Sequence, residues 1–329
     1  MDNLTHSLIG AVLGQTGLKR RTGLAMPALI IGANLPDIDA GCSIYGIESL
    51  AMRRGITHGP IALLVLPLLL AGALWWFDRW QVRRGKRPEE RLPIRFGWLL
   101  ALSFIGCLTH PAFDWLNNYG IRLLEPFSSQ WFFGDTLFIV DPWLWAILGA
   151  GLWLSLRLER KGSRASCVIA MAVFGVAIVY IGGNLLISAR AELLVRAELQ
   201  RRSPYFADDP HLLVVANPVP LEFWRREVLW RARDRHYGVD FSLWDDKVHL
   251  GYQPIPADPA PAIVRSEPAN MDDPRVAELA RGNPAAEAFL FWSRMPVAEL
   301  QGDRIILRDQ RFMNPRIGDR FSVTLRPPK

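Results

Sequence analysis

The sequence predicts a multi-pass α-helical membrane domain followed by a C-terminal extramembrane domain with an α+β or β-rich fold. Two features lead to this prediction. Residues 1–189 contain long apolar runs, whereas residues 190–329 are charged and rich in proline. The Lys and Arg residues of the first part are concentrated between the apolar runs, as in the cytoplasmic loops of membrane proteins. We therefore predict two domains, 1–189 and 190–329.

The membrane domain is expected to contain about six membrane segments, of which the first two are short. A helix needs roughly 20 apolar residues to cross a bilayer. Glycine and alanine are frequent in the first two segments, and such small residues allow helices to pack closely. In chain order the predicted segments are Leu4–Leu18, Leu24–Leu35, Ile61–Phe77, Phe96–Leu116, Pro142–Leu156 and Cys167–Ala189.

The positions of the basic residues predict the orientation of these segments. Residues 78–95 contain seven Lys or Arg, and residues 157–164 contain four. Because loops of this kind stay in the cytoplasm, the loop 117–140, both chain termini and the C-terminal domain are predicted to lie on the outer side. The same loops contain many of the Lys and Arg residues of the chain, so membrane topology accounts for much of its positive charge. We therefore expect the lipid bilayer as a partner and no binding of nucleic acid.

The C-terminal domain contains several patterns that are typical of strands. Apolar and polar residues alternate over 237–243, which indicates a half-buried strand. Two stretches that begin near a proline indicate helices, and a proline-rich stretch indicates a loop. The further strands are predicted at His211–Ala216, Glu227–Arg231, Arg304–Arg308 and Phe321–Leu325, the helices at Asp273–Arg281 and Pro284–Arg294, and the loop at Pro254–Pro268.

Three of the six histidines lie in the membrane domain, and two of these have a carboxylate four residues away. Asp114 follows His110 at the i+4 position of a helical stretch, so the two side chains share one face. Asp2 and His6 have the same spacing at the N-terminus. An imidazole and a carboxylate placed in this way can bind one metal ion, or the carboxylate can orient the imidazole by a hydrogen bond.

Three further candidate ligands lie in the same predicted layer. Asp37 and Asp39 follow an apolar segment that ends at Pro36, and His58 precedes the next segment. In the predicted topology all of these residues reach the outer face, and ionisable residues at membrane depth are costly and usually functional. Imidazole and carboxylate ligands suit zinc, manganese or iron. The predicted ligand set is His6, Asp37, Asp39, His58, His110 and Asp114.

These candidates also have interpretations that need no metal. Asp2, Asp37 and Asp39 could cap a helix or a turn. His58 could be an interfacial histidine that is bonded to a carbonyl group. The pair of His110 and Asp114 could be joined by a hydrogen bond alone.

Other polar residues carry a weaker functional signal. Arg122, Asp135 and Asp141 belong to the predicted outer loop or its end, and we expect them to contact the substrate. Asp135 and Asp141 could instead bond to the metal ligands, and Arg122 could pair with a carboxylate or bind a phosphate. Asp141 is also placed as an ordinary helix start, because Pro142 follows it. The remaining histidines have no partner at a ligand spacing and are predicted to be structural or surface residues. They are His211, His236 and His249.

Several stretches of the first 145 residues resemble the membrane-bound metal-dependent hydrolases, also described as LexA-binding, inner-membrane-associated hydrolases. The stretches are MDNLTHSLIGA (1–11), NLPDID (34–39), RRGITHGP (53–60), LTHPAFDWLNNYGIRLLEPFS (108–128) and FGDTLFIVDPWLW (133–145). ANPVPLEFWRREVLW (216–230) resembles the C-terminal part of the same family. The resemblance implies a helical domain in the bacterial inner membrane and metal-dependent hydrolase activity. With the orientation predicted above, the C-terminal domain would be periplasmic.

The family resemblance also implies how many metal ions the site would hold. More remotely, the chain is similar to zinc-dependent phospholipase C enzymes, whose His-x-x-x-Asp ligand pairs are matched by His110 and Asp114. The family motif His-Arg-Gly-x-Thr-His-Ser has Arg53 in place of its first histidine and Gly59 in place of its serine. No later His-x-x-x-Glu pair follows. The resemblance therefore implies one or two metal ions rather than three.

The leading functional hypothesis is hydrolysis of a phosphoester, in a lipid or lipid-linked substrate, at the outer membrane face. A bound metal, with zinc as the first choice, would activate water, and Asp39 or Asp2 would take its proton. A transporter would instead use the same residues as a permeation site and move its substrate without turnover. A non-catalytic scaffold with a structural metal would have a closed coordination shell.

Overall fold

A computed structural model describes residues 1–202, 209, 211–232, 235–244, 265–313 and 321–326. The chain forms two compact units. The first comprises residues 1–40 and 54–183, and the second comprises residues 41–53 and 184–329. The predicted domain boundary between residues 189 and 190 stays a prediction. His249 and most of the predicted proline-rich loop lie outside the described residues.

The first unit is helical. Its helices are α1 (Asn3–Gln15), α2 (Ala25–Asn34), α4 (Pro60–Arg83), α5 (Phe96–Trp115), α6 (Pro142–Arg160) and the first part of α7 (Ala165–Arg202). The short helix α3 (Ser49–Met52) belongs to the second unit. Turns of 3-10 helix cover Leu18–Arg20, Leu35–Glu48 and Ile56–His58.

The prediction of about six membrane segments is wrong in number. Among the described residues, three helices are long and apolar enough to cross a bilayer, namely α4, α5 and α7. Helices α1 and α2 have 13 and 10 residues, so they span only about 20 and 15 Å, against a hydrocarbon core of about 30 Å. Helix α6 is longer, but its last turn carries Arg157 and Arg160. The general prediction of apolar membrane helices followed by a β-sheet region is confirmed.

Glycines allow the short helix α2 to pack tightly between α1 and α5. A Cβ atom added to Gly10 of α1 would lie 2.7 Å from the carbonyl oxygen of Leu29 in α2. A Cβ atom added to Gly106 of α5 would lie 2.8 Å from the same oxygen. Both helices therefore approach the α2 backbone more closely than any residue with a Cβ would permit, as is usual between membrane helices.

The basic segments of the first unit meet at one end of the helices. The Arg95 amide donates a hydrogen bond to Thr22 Oγ1 at 2.8 Å, which joins the loop before α5 to the α1–α2 connection. The Lys19 ammonium group forms an ion pair with Glu159 at the end of α6. At the opposite end, the C-terminus of α2 meets α1 through the bond from Asn34 Nδ2 to Ser7 Oγ, 3.0 Å.

The second unit contains two antiparallel sheets. The first has the strand order β1-β2-β3-β4, with β1 (Leu213–Pro218), β2 (Arg225–Ala232), β3 (Arg235–Ser242) and β4 (Arg265–Pro268). The second has the order β5-β6-β7, with β5 (Pro296–Gln301), β6 (Arg304–Asp309) and β7 (Ser322–Leu325). Helices α8 (Pro274–Ala280) and α9 (Pro284–Trp292) precede the second sheet. Four predicted strands and both predicted helices are confirmed at β2, β3, β6, β7, α8 and α9.

Two predicted elements of the second unit, the strand at His211–Ala216 and the loop at Pro254–Pro268, differ in the structure. The strand expected at His211–Ala216 begins two residues later, at Leu213, because His211 lies in an exposed turn. The last four residues of the loop expected at Pro254–Pro268 form β4, which pairs with β3. Backbone pairing along an available sheet edge supplies hydrogen bonds that the local sequence does not reveal.

The second unit is held by an apolar core and a buried ion pair. Val228, Trp230 and Phe241 of the first sheet pack with Val195 on the second part of α7. Asp309 accepts two hydrogen bonds of 2.9 Å from the buried guanidinium of Arg311. Burial alone would raise the pKa of Asp309, but the charge and hydrogen bonds of Arg311 outweigh it and lower the pKa to about 2.

Candidate metal centre

Four of the six predicted ligands meet at the end of the first unit that lies opposite the basic segments. Asp37 lies in the 3-10 turns after α2, His58 lies in the turn before α4, and His110 and Asp114 lie on one face of α5. Each side chain offers one ligand atom, and these atoms all lie within 4.8 Å of one another. Both histidines and Asp114 are fully buried.

Four of the distances between the ligand atoms lie between 3.1 and 3.6 Å. The Nε2 atoms of His58 and His110 are 3.1 Å apart. Asp114 Oδ2 lies 3.5 Å from His58 Nε2 and 3.6 Å from His110 Nε2. Asp37 Oδ1 lies 3.6 Å from His110 Nε2. Ligands placed 2.0–2.2 Å from a tetrahedral zinc ion are separated by roughly 3.3–3.6 Å, so the residues present fit such an ion.

The hydrogen bonds of the two imidazoles leave their Nε2 atoms without a proton. His110 Nδ1 lies 2.7 Å from the Ala33 carbonyl oxygen, which can only accept, so Nδ1 carries the proton. The Thr57 hydroxyl donates to Asp39 Oδ2 at 2.9 Å and can accept from His58 Nδ1, also at 2.9 Å. Two Nε2 lone pairs therefore face each other across 3.1 Å. They repel unless a cation, either a metal ion or an added proton, lies between them.

The other two predicted ligands lie beside this group of four. The His6 ring stacks on His110 with the ring centroids 3.9 Å apart, and His6 Nε2 is 3.3 Å from Asp114 Oδ1. Asp39 Oδ2 accepts a 2.7 Å hydrogen bond from the Arg54 amide and the bond from Thr57. Asp39 thus holds the turn that carries His58. His6 faces the oxygen of Asp114 that points away from the four clustered ligand atoms.

Arg54 belongs to the site and is absent from the predicted residues. Its Nε atom lies 2.9 Å from Asp114 Oδ2, and its guanidinium lies 4.5 Å above the centre of the Tyr119 ring. The side chain is buried. The α-amino group of Met1 contacts the other oxygen, Asp114 Oδ1. The sequence contains one indication that Arg54 belongs to the site, because Arg54 occupies the arginine position of the His-Arg-Gly-x-Thr-His-Ser motif. The basic pair at 53–54 is nevertheless more typical of a loop.

Asp2 and Asp141 have the contacts of helix caps. Asp2 Oδ1 accepts from the backbone amides of Leu4 and Thr5 at 3.0 and 3.1 Å. Asp141 accepts from the Leu144 amide at 2.9 Å and from the Tyr180 hydroxyl at 2.9 Å. Such bonds satisfy helix N-termini. A catalytic role for Asp2 and a substrate role for Asp141 stay predictions.

Arg122 and Asp135 lie in the loop that follows α5. Arg122 is buried, donates to Glu125 Oε1 at 2.6 Å, and lies 5.1 Å above the centre of the Trp131 ring. Its backbone amide bonds to the Arg54 carbonyl oxygen at 2.9 Å, which joins this loop to the turn of His58. Asp135 has a left-handed backbone with φ of 45°. Their roles as substrate contacts stay predictions.

The comparisons with known proteins agree with the helical first unit. The profile of one family, described as YdjM inner membrane protein, matches residues 1–185, more than half of the chain and all of the residues of the site. No curated protein and no solved structure matches the chain. With the apolar helices α4, α5 and α7, this match establishes that the chain belongs to the YdjM inner membrane protein family.

Proposed function

We propose that the protein is a membrane-bound metal-dependent hydrolase that holds one divalent ion, zinc being the best match, with Asp37, His58, His110 and Asp114. The observation that carries the proposal is the pair of imidazole Nε2 atoms 3.1 Å apart, each fixed as an acceptor by a bond at its Nδ1 atom. Imidazoles that bind metals are oriented in this way by a hydrogen bond from their other nitrogen. Two buried carboxylates complete a mixed nitrogen and oxygen set that suits zinc.

Asp39 is the best placed residue to move a proton. A divalent ion at this site would acidify a bound water molecule and polarise a phosphoryl or acyl oxygen. Asp39 Oδ1 is buried and makes no hydrogen bond within the described part of the chain, while Asp39 Oδ2 holds the turn of His58. A carboxylate with one oxygen anchored and the other unbonded can accept a proton from water without moving.

The surroundings of the site support a lipid or lipid-linked phosphoester as the substrate. Helix α4 begins two residues after His58, and α5 ends one residue after Asp114, so the site lies at the ends of two helices that are apolar enough to cross a bilayer. The neighbouring loops carry exposed apolar side chains, Ile38, Ile56 and Phe127. Exposed apolar groups of this kind mark contact with a membrane or an apolar ligand. A substrate that is embedded in the bilayer would reach the site beside them.

The distribution of charge supports an outer, periplasmic location for the site. The basic segments lie at the opposite end of the first unit, and short basic loops stay in the cytoplasm. Helix α6 begins near the site, where Trp145 Nε1 donates to Thr5 Oγ1 at 3.0 Å, and ends near Lys19. The first part of α7 returns towards the site, where Tyr180 meets Asp141. We propose that α6 also crosses the membrane and that the C-terminal domain is periplasmic.

Labelling of single cysteines in intact cells tests this orientation. In a chain whose three native cysteines are replaced by serine, Phe127→Cys should react with an impermeant maleimide added outside the inner membrane. Arg84→Cys should react only after the cells are permeabilised, because its loop carries the basic cluster. Labelling of Arg84→Cys alone in intact cells would reverse the proposed orientation.

Metal-dependent turnover tests the proposed reaction. The purified protein should hydrolyse bis-p-nitrophenyl phosphate or a fluorescent phospholipid analogue, lose this activity in a chelator and regain it with zinc. Asp39→Asn should keep its metal and lose activity by a factor of about 100 or more, the usual contribution of a proton-transferring side chain. Full activity in Asp39→Asn would remove Asp39 from the mechanism. Metal binding without turnover would favour the scaffold, and uptake of zinc into vesicles would favour the transporter.

A further inference from the structure

The side chain of Arg54 connects the ligand Asp114 to the loop that follows α5. Its Nε atom lies 2.9 Å from Asp114 Oδ2. Its Nη1 atom donates to Asn117 Oδ1 at 2.9 Å and to the Gly120 carbonyl oxygen at 3.3 Å. The aromatic ring of Tyr119 covers the guanidinium. Arginine presents fixed donors in one plane, so these bonds determine where the Asp114 carboxylate points.

The backbone of Arg54 connects two further parts of the site. Its amide donates to Asp39 Oδ2 at 2.7 Å, and its carbonyl oxygen accepts from the Arg122 amide at 2.9 Å. Arg54 adopts φ of 53°, the left-handed region that residues with a Cβ seldom occupy. Conformations of this kind are kept where surrounding structure requires them, and they concentrate at functional sites. Arg54 thus touches the segments that carry Asp39 and Asp114 and immediately precedes the turn of His58.

Arg54 also changes the charge that an entering ion meets. The carboxylates of Asp37, Asp39 and Asp114 carry three negative charges in a largely buried site, and the Arg54 guanidinium compensates one of them. The α-amino group of Met1 also contacts Asp114, and Arg54 is the one of these two basic groups that is always protonated. Buried charge is costly unless it is paired. Without the guanidinium, the site would be more negative by one charge, and this would strengthen its attraction most for cations of high charge.

We propose that Arg54 is a positioning residue that orients Asp114 and makes the site selective for divalent over trivalent cations. This inference rests on the proposed function, because it assumes that the four ligand atoms bind a metal ion. Arg54 itself does not ligate the ion. Its charge lowers the attraction for every cation, and the loss is larger for an ion of higher charge because the Coulomb energy scales with that charge.

The ratio of two dissociation constants tests this inference. In the full-length protein in detergent, Kd is measured for Mn²⁺ by electron paramagnetic resonance and for Tb³⁺ by sensitised luminescence. Arg54→Gln should shift the ratio in favour of Tb³⁺ by at least about ten-fold, because one positive charge near the ion is lost. Arg54→Lys should keep the ratio within about three-fold of the wild type, because it retains the charge. A purely structural role of Arg54 would change both constants together and leave the ratio unchanged.

Asn117→Asp provides a matched variant that keeps Arg54 in place. Asn117 Oδ1 already accepts from Arg54, and Asn117 Nδ2 makes no hydrogen bond within the described residues. The new carboxylate has the same shape and neutralises the guanidinium, so it should shift the ratio in the same direction as Arg54→Gln. The α-amino group of Met1 is common to all variants and does not affect the comparison.

The outcomes separate this inference from the proposed function. An unchanged ratio in both Arg54→Gln and Asn117→Asp, with tight Mn²⁺ binding in the wild type, would overturn the selectivity role alone. If Arg54→Gln does not fold, the ratio in Asn117→Asp decides the question. Absence of binding of either ion to the wild type would overturn the proposed metal site and, with it, this inference.

Discussion

The Asp114→Asn protein is expected to lose its metal ion and to unfold at a lower temperature than the wild type. Asp114 Oδ2 lies within 3.6 Å of the Nε2 atoms of His58 and His110 and 2.9 Å from Arg54 Nε. The amide keeps the shape of the carboxylate but removes its charge. Loss of a residue outside the coordination shell already costs roughly 10–100-fold in metal affinity, so the loss of a ligand should cost about 100-fold or more.

The loss of stability in Asp114→Asn has a separate cause. Without the carboxylate, the buried Arg54 guanidinium keeps its bond to Asn117 but loses its charged partner. Removal of one member of a buried ion pair costs about 3–5 kcal/mol. Because this cost does not depend on the metal, the difference in Tm between variant and wild type should persist in a chelator. Thermal unfolding with and without the chelator, together with metal analysis, measures both effects.

Asp78→Asn is the matched control for Asp114→Asn. Asp78 is also buried and accepts hydrogen bonds from Arg87 and Arg91 at 3.1 and 2.9 Å. These arginines are closer to solvent than Arg54, so the expected loss is only about 1 kcal/mol. The metal content of this variant should equal that of the wild type. A normal metal content in Asp114→Asn would remove Asp114 from the ligand set.

The His110→Ala protein is expected to bind metal at least about 100-fold more weakly than the wild type. His110 Nε2 has three of the other proposed ligand atoms within 3.6 Å. Its Nδ1 atom is bonded to the Ala33 carbonyl oxygen, so the ring is held in the orientation that a ligand requires. Alanine removes the ligand and leaves a cavity that the surrounding helices cannot fill.

His236→Ala is the control for the loss of a buried histidine. His236 is as buried as His110, lies in β3 of the second unit, and has no place in the cluster of ligand atoms. Zinc titration of purified His110→Ala, His236→Ala and wild-type protein should show weakened binding in the first variant only. Equal weakening in both variants would mean that the effect arises from general destabilisation rather than from a lost ligand.

The membrane helices show what an apolar composition can and cannot predict. Helices α4, α5 and α7 were recognisable because long uncharged runs have few alternatives to spanning a bilayer. Helices α1 and α2 are equally apolar but too short, and their packing depends on the close contacts of Gly10 and Gly106 with Leu29. Hydropathy measures the preference of a residue for lipid. It does not distinguish lipid from the interior of a helical bundle.

The second unit shows the corresponding limit for strands. Regular alternation made β3 predictable, because every second side chain enters the core. Strand β5 was not predicted. Its buried residues Val297 and Ala298 are adjacent rather than alternating, so the local pattern gives no period of two. Pairing with β6 places it in the sheet.

The sequence predicts which residue types could bind a metal ion. It does not predict which of the six residues belong to the cluster of four ligand atoms. Buried histidines and carboxylates in an apolar domain are costly, and this cost made the six residues conspicuous. Whether a side chain lies among the four clustered ligand atoms or beside them depends on differences of a few ångströms that only packing decides. His6 and Asp39 lie beside them. The sequence did not predict a role for Arg54, because two adjacent arginines are typical of a cytoplasmic loop.

A crystal structure of the zinc-loaded protein, with anomalous scattering measured at the zinc edge, shows which residues bind the ion. We expect one strong anomalous peak between Asp37, His58, His110 and Asp114, with each ligand atom about 2.0–2.2 Å from the ion. Arg54 Nε should remain on Asp114, outside the coordination shell. A fully occupied zinc ion elsewhere, with the Nε2 atoms of His58 and His110 still 3.1 Å apart and no ion between them, would show that these residues do not form the metal site.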